Sequence, residues 1–383
     1  MNTITYRLKP KFAGNVAEVL SQGGGREYES KITLHGGKFT PEEIEQCLAD
    51  NPDLKVQIDI GQKVRLSGVF VDGSAPREID HETFLSVKEG DIVDIFFDAE
   101  FAKRYSLEVP GFPVLVLNQK RDFELINQIV LGDGDCVLRK KGRRFEVEKT
   151  RNGKIFSNHG ITEPARINNR RDIFTEKDLE ILEVIKNHRD QVTDIVISFI
   201  SNASHVDQLH KTLKRIFGDK LPEVTYKIET LEAIGHLPYI LKDSEDYGLK
   251  PKFVIGCGDL EAQVREDLIR DSYFGMPSEQ VVREALEEKI ESIIRFLSQR
   301  GIKELSIAWG LGEDDDTTYK LRKIIGLEIC YGVKINYWVT KATIGKSKGA
   351  EVVGVLDGIM GQRKEVIKGL LTELTGNVAG SNI

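Results

Sequence analysis

The sequence predicts a (β/α)8 TIM barrel with an inserted small all-β domain after the third strand. Three observations predict it. Short apolar runs alternate with amphipathic segments at both ends of the chain, and the runs total eight. Between residues 69 and 161 the alternation stops and β-like runs take over. A lysine and two carboxylates then fall at neighbouring strand ends, in Lys227-Ile228-Glu229 and Gly258-Asp259-Leu260. In a closed barrel of this kind catalytic groups sit at the C-terminal ends of the strands.

Residues 3–8 read as the first strand, followed by a short helix over 13–21 that Gly23-Gly24-Gly25 stops. Residues 30–34 are the second strand. Thr40-Pro41 then opens a helix, the threonine as N-cap and the proline in the first turn. Residues 55–60 are the third strand. Strands separated by helices in this rhythm predict a parallel sheet with right-handed crossovers.

Within residues 69–161 no long helix is evident. Runs such as Pro113-Val-Leu-Val-Leu117 and Cys136-Val-Leu-Arg139 are separated by turn signals at Lys88-Glu89-Gly90 and Gly132-Asp133-Gly134. The division expected is therefore a barrel from residues 1–68 and 162–383, with 69–161 inserted. Thr175-Glu-Lys-Asp178 restarts the helical pattern with a capping threonine and first-turn acids. Five further strands follow at 193–199, 224–228, 253–256, 304–309 and 334–339, each leading into a helical stretch. An open doubly wound sheet is the alternative reading of the same alternation.

Composition narrows the function. A net charge of −7, with both signs spread along the chain, argues against nucleic acid or an anionic membrane as partner. Four scattered cysteines (Cys47, Cys136, Cys257, Cys330) with no C-x-x-C pair suit a reduced, cytoplasmic protein without disulfides or zinc. No signal peptide and no membrane-length apolar run are evident. Homo-oligomerisation stays open.

Side chains alternate faces along a strand, so Lys227 and Glu229 point the same way. With Asp259 arriving from the next strand, two carboxylates beside a lysine form a plausible Mg²⁺ (or Mn²⁺) site, since such ions take one or two carboxylates and complete their shell with water and substrate oxygens. An ordinary ion pair at a strand end is the competing account of Lys227 and Glu229.

These motifs in this order resemble pyruvate kinase, over nearly the whole chain. Ile58-Asp-Ile-Gly-Gln-Lys-Val-Arg65 is similar to the family's L-D-x-x-G-P-x-I-R, one residue shorter. Ile197-Ser198-Phe199 sits where the family has a Ser-Phe strand end, and Tyr226-Lys-Ile-Glu229 with Gly258-Asp259-Leu260 match its most specific motifs. The resemblance implies that Lys227 neutralises a phosphoryl group or an enolate, and that Glu229 and Asp259 hold the metal. It also implies that backbone groups near Gly258 and Asp259, with Ser198 at its strand end, meet the substrate, a phosphoenolpyruvate- or pyruvate-type keto acid. Arg65 could approach a phosphate or make an interdomain pair, and Lys341 could add positive charge to the site or stand as an ordinary exposed lysine.

The departures bear on the reaction. The family's R-x-N-F-S-H-G is Ser30-Lys-Ile-Thr-Leu-His-Gly36 here, so Ile32 and Leu34 replace oxygen-bearing side chains and potassium is not expected. Its Ala-Thr-Gln is Ala308-Trp309-Gly310, which puts either an indole or a shifted register near the reacting carbon, and its C-terminal effector domain has no counterpart. The expectation is a divergent enzyme that stabilises an enolate without forming ATP; genuine phosphotransfer and a non-catalytic scaffold remain alternatives. Other features take plainer readings. Gly345-Lys346-Ser347 lacks the earlier glycine of a phosphate loop, His35 reads as solvated, and Glu313-Asp-Asp-Asp316 as a solvated helix start.

Overall fold

The computed structural model describes residues 2–8, 28–36, 39–61, 66–74, 78–79, 82–117, 128–132, 136–150, 152–157, 159–162, 173–271, 277–311, 316–339 and 349–380. The expected helix over 13–21 and the Gly345-Lys346-Ser347 stretch lie outside them. The chain divides into two compact units. One comprises residues 1–61, 172–257 and 285–383; the other comprises 62–171 and 258–284.

In chain order the first unit opens with β1 (Asn2–Leu8), β2 (Tyr28–His35), α1 (Pro41–Asp50) and β3 (Val56–Ile60). Thr40 caps α1 through a capping box with Glu43, which satisfies donors the first turn leaves open. The second unit holds β4 (Leu66–Phe70), β5 (Glu78–Ile79), β6 (Glu82–Ser86) and β7 (Ile92–Phe96), then α2 (Ala99–Glu108). It continues with β8 (Val114–Leu117), β9 (Gln128–Leu131), β10 (Cys136–Lys141), β11 (Arg144–Thr150), β12 (Lys154–Phe156) and β13 (Ile161–Thr162). These form a seven-stranded and a three-stranded sheet around a core that includes Leu115, Leu138 and Val147. The helix α2 is an addition to the all-β expectation; Asp98 caps it by accepting from the Phe101 amide.

The alternation then resumes with α3 (Glu176–Asn187), β14 (Val192–Ile197), α4 (Ala203–Phe217), β15 (Val224–Ile228), α5 (Leu231–Asp246) and β16 (Lys252–Gly256). After it come α6 (Cys257–Asp271), α7 (Glu279–Gln299), β17 (Glu304–Ala308), α8 (Thr317–Tyr331), β18 (Lys334–Val339) and α9 (Gly349–Gly380). Eight strands close into a parallel barrel in the order β1-β18-β17-β16-β15-β14-β3-β2. The fold is the (β/α)8 barrel with an inserted β domain.

Parallel partners in register share a face, so contacts across the barrel axis fix which residues look inward. Val196, Val254, Ala308 and Trp338 pack together from β14, β16, β17 and β18, and so mark the interior. A polar chain runs along the same face. Thr33 Oγ1 donates to Gln57 at 3.1 Å, Gln57 Nε2 donates to Asp194 at 2.8 Å, and Thr225 Oγ1 donates to Asp194 at 2.5 Å. Burying these groups is tolerable because each finds a partner.

Two sequence expectations change with that phase. Thr33 and His35 share the face of Gln57 and Asp59, their register partners, so Ile32 and Leu34 pack outward and do not enter the interior. Trp309 likewise lies with Leu305 and Ile307 on the outer side. It lines a cavity of about 360 Å³ with Ile290, Tyr319 and Leu370 from the surrounding helices. The interior indole is Trp338.

Candidate functional site

Two to four residues beyond the interior polar chain, at the C-terminal ends of β3, β14 and β15, the inward positions are Asp59, Ser198, Lys227 and Glu229. Lys227 is 6% exposed, Asp59 0% and Glu229 1%. Its ammonium pairs with Glu229 Oε1, lies 3.8 Å from Asp59 Oδ2, and donates to Ser198 Oγ at 3.3 Å. Ser198 Oγ in turn donates to Asp59 Oδ1 at 2.7 Å. Two buried carboxylates therefore share one ammonium, bridged by a hydroxyl. Desolvating such groups costs several kcal/mol per ion, so a cluster like this gives only weak evidence of a stabilising role.

The backbone explains why the four converge. The Ser198 amide donates to Ile60 O at 2.8 Å, and Gly61 follows with a φ of +121°. A Cβ on Gly61 would sit 2.7 Å from Ser198 O, so glycine lets β3 and β14 close at this level. After Ser198 comes Phe199 at a φ of +61°, a conformation that costs energy for any side chain and clusters at functional sites. The Gly61 amide donates to Asp178 Oδ1 at 3.3 Å, which ties the start of α3 to the same strand end. Burial pushes the Asp178 carboxyl above its ordinary range, against the hydrogen bonds it receives from Thr175 and Gly61.

Glu229 leaves β15 and lies against Gly256, the last residue of β16. The strand passes directly into α6, which places Gly258 and Asp259 in the first helical turn. Asp259 is buried and belongs, with Gly258, to the second compact unit. Arg65 and Lys341 lie outside the described residues.

Of the residues the sequence singled out, the structure brings Lys227, Glu229 and Ser198 together. The sequence motifs assign Asp59 no role, although Gln57 and Asp59 at alternate positions of an otherwise apolar strand signal a polar inner face. His35 is buried rather than solvated, in register beside Asp59.

Asp59 and Glu229 bring carboxylate oxygens, the donor type that a hard divalent cation takes, to the strand ends, where both face Lys227. Among the described residues there is no group of three or more His, Cys, Asp or Glu side chains arranged to hold a metal. None of the helices among them is long and apolar enough to cross a membrane.

Comparison with solved structures finds the crystal structure of pyruvate kinase from Pyrobaculum aerophilum, with a TM-score of 0.56 and 15% sequence identity. The match covers 94% of this chain and 72% of that one, and shows a shared fold. No family model and no curated protein matches the sequence.

Proposed function

We propose that this protein is a divergent pyruvate-kinase-like enzyme. In this reading it binds a phosphoenolpyruvate- or pyruvate-type keto acid beside Mg²⁺ or Mn²⁺ and stabilises the enolate, without forming ATP. One observation carries the reading: a buried lysine shared by Glu229, Asp59 and Ser198 at the C-terminal ends of barrel strands. Charged groups held out of water at the catalytic end of this fold are expected of an active site. The likeness to a pyruvate kinase structure supports the choice of substrate class.

Glu229 and Asp259 are the proposed metal ligands. When bound, the ion supplies Lewis-acid charge to the keto or enolate oxygen. Lys227 supplies a second positive charge, preorganised by Asp59 and Ser198 and shielded from water, at the oxygen where negative charge develops. Ser198 and Gly258, with Arg65 and Lys341, are the proposed substrate contacts. The proposed catalytic barrel comprises residues 1–68 and 162–383, with 69–161 as its inserted domain.

The test is thermal stabilisation by phosphoenolpyruvate, pyruvate and oxaloacetate, each with and without Mg²⁺, followed by methyl deuteration of pyruvate in D₂O. Mg²⁺-dependent stabilisation by at least one of them is expected. None with any of the three would sink the reading.

A further inference from the structure

Lys227 stands between two carboxylates but contacts them unequally. It pairs with Glu229, while Asp59 Oδ2 waits 3.8 Å away and Ser198 Oγ, at 3.3 Å, lies on the way. Asp59 is held in place by the Ser198 hydroxyl at 2.7 Å. We propose that Lys227 has two berths: Glu229 while the site is metal-free, and Asp59 with Ser198 once a divalent cation occupies Glu229. The inference rests on the metal-binding reading of Glu229 given above.

The physical reason is competition for one carboxylate. A cation such as Mg²⁺ binds oxygen at about 2.1 Å, and an ammonium in contact with the same carboxylate would meet it with strong like-charge repulsion in a site of low effective dielectric. Glu229 packs close over Gly256, where an added Cβ would meet its Cγ and Oε1. Lysine, with a flexible four-carbon stem, is the partner that moves. A shift of about 1 Å brings its ammonium to normal ion-pair distance from Asp59. Asp59 and Ser198 are thus positioning residues: they keep the cation in the site when the metal displaces it. Without Asp59, lysine and metal compete for Glu229.

Structure and solution binding both test this. Crystal structures of the full chain without and with Mn²⁺ should show Lys227 Nζ against Glu229 in the first and against Asp59 in the second; an unmoved ammonium overturns the proposal. In solution, Mn²⁺ binding is followed by the electron paramagnetic resonance of the free ion. Asp59→Asn should weaken Mn²⁺ binding on the order of tenfold when Lys227 is present, and by less than about twofold in a Lys227→Met background, a coupling typical of contacting charges. Equal weakening in both backgrounds means that Asp59 acts only through its charge, and overturns the proposal. Should Asp59→Asn fail to fold, Ser198→Ala carries the same cycle. Glu229→Gln separates the two failures. If Mn²⁺ binds wild type and Glu229→Gln alike, the metal reading fails and takes this one with it; if Glu229→Gln loses Mn²⁺ but the cycle is additive, only the two-berth reading fails.

Discussion

Glu229 lies across the bare Cα of Gly256. A methyl group added there would meet Glu229 Cγ at 2.6 Å and Oε1 at 2.8 Å. The glycine at the end of β16 is therefore a condition for where the Glu229 carboxylate sits, and through it for where Lys227 sits.

Gly256→Ala should accordingly damage the site more than the fold. The Glu229 carboxylate must move, and its lysine partner with it. Overpacking of this kind costs about 1–3 kcal/mol, and we expect Mn²⁺ affinity to fall on the order of tenfold, the size of effect that couples contacting charged groups. Gly235→Ala is the control. It sits exposed in α5 with nothing within 4 Å of the added methyl, and should stabilise by about 0.5–1 kcal/mol. Urea midpoints and Mn²⁺ titrations of the two variants check both statements. Equal Mn²⁺ affinity in wild type and Gly256→Ala would contradict the first.

Much of the barrel was legible because its strands are short buried runs between turn signals. Residues 224–228 and 334–339 begin and end in the structure where the sequence placed them. The phase of alternation was not legible from the same runs. Whether Leu34 or His35 looks inward depends on pairing with β3, a register no single strand encodes. The family pattern placed Ile32 and Leu34 inside, and the hydrogen bond from Thr33 to Gln57 places them outside. At Ala308-Trp309-Gly310 the shifted register is the alternative that holds, and it turns Trp309 outward. The helix α2, at ten residues, is too short to stand out as a long periodic segment, although Asp98 is a capping residue.

Potassium dependence follows from the corrected phase. The inward positions at the C-terminal end of β2 are Thr33 and His35, and Thr33 is engaged with Gln57. An imidazole is a poor ligand for a hard alkali ion, which takes oxygen donors. Replacing sodium by potassium should change metal-dependent keto-acid binding by less than about twofold on that ground. A several-fold gain in potassium, measured by isothermal titration, would count against it.

Alkaline pH should loosen the barrel through two buried acids. Burial pushes the Cys47 thiol from 9.0 up to about 11, and the Tyr226 phenol from 10.0 up to about 12. Both groups hold their protons more tightly folded than unfolded. The stability this contributes is fully present below the unfolded values and is lost as pH rises through the folded ones. Tyr226→Phe gives up the hydrogen bond to Ser244, worth about 1 kcal/mol, yet should show a shallower decline above pH 10.0 than wild type. Urea midpoints taken from neutral to strongly alkaline pH measure the two slopes, and surface lysines cancel in the difference. Parallel slopes would refute the assignment to Tyr226.

Lys227 gives the sharpest contrast between binding and chemistry. Its ammonium pairs with Glu229 and in the proposed site would compete with the cation there, so Lys227→Ala should bind Mn²⁺ as well as wild type or somewhat better. Asp259→Ala and Glu229→Ala should both lose it, because a hard cation left with one protein ligand is held mostly by water. Activity should move the other way in the lysine variant. Removing one preorganised charge from the transition state costs on the order of 10²-fold or more, so deuterium exchange into pyruvate should collapse at saturating Mn²⁺. The saturating metal matters, since a loss that persists there belongs to the chemical step and not to occupancy. Removing half of a buried pair also destabilises, by about 3–5 kcal/mol, so exchange is compared at a temperature where circular dichroism shows the variant fully folded. A folded, Mn²⁺-loaded Lys227→Ala protein that exchanges at the wild-type rate would remove Lys227 from the site.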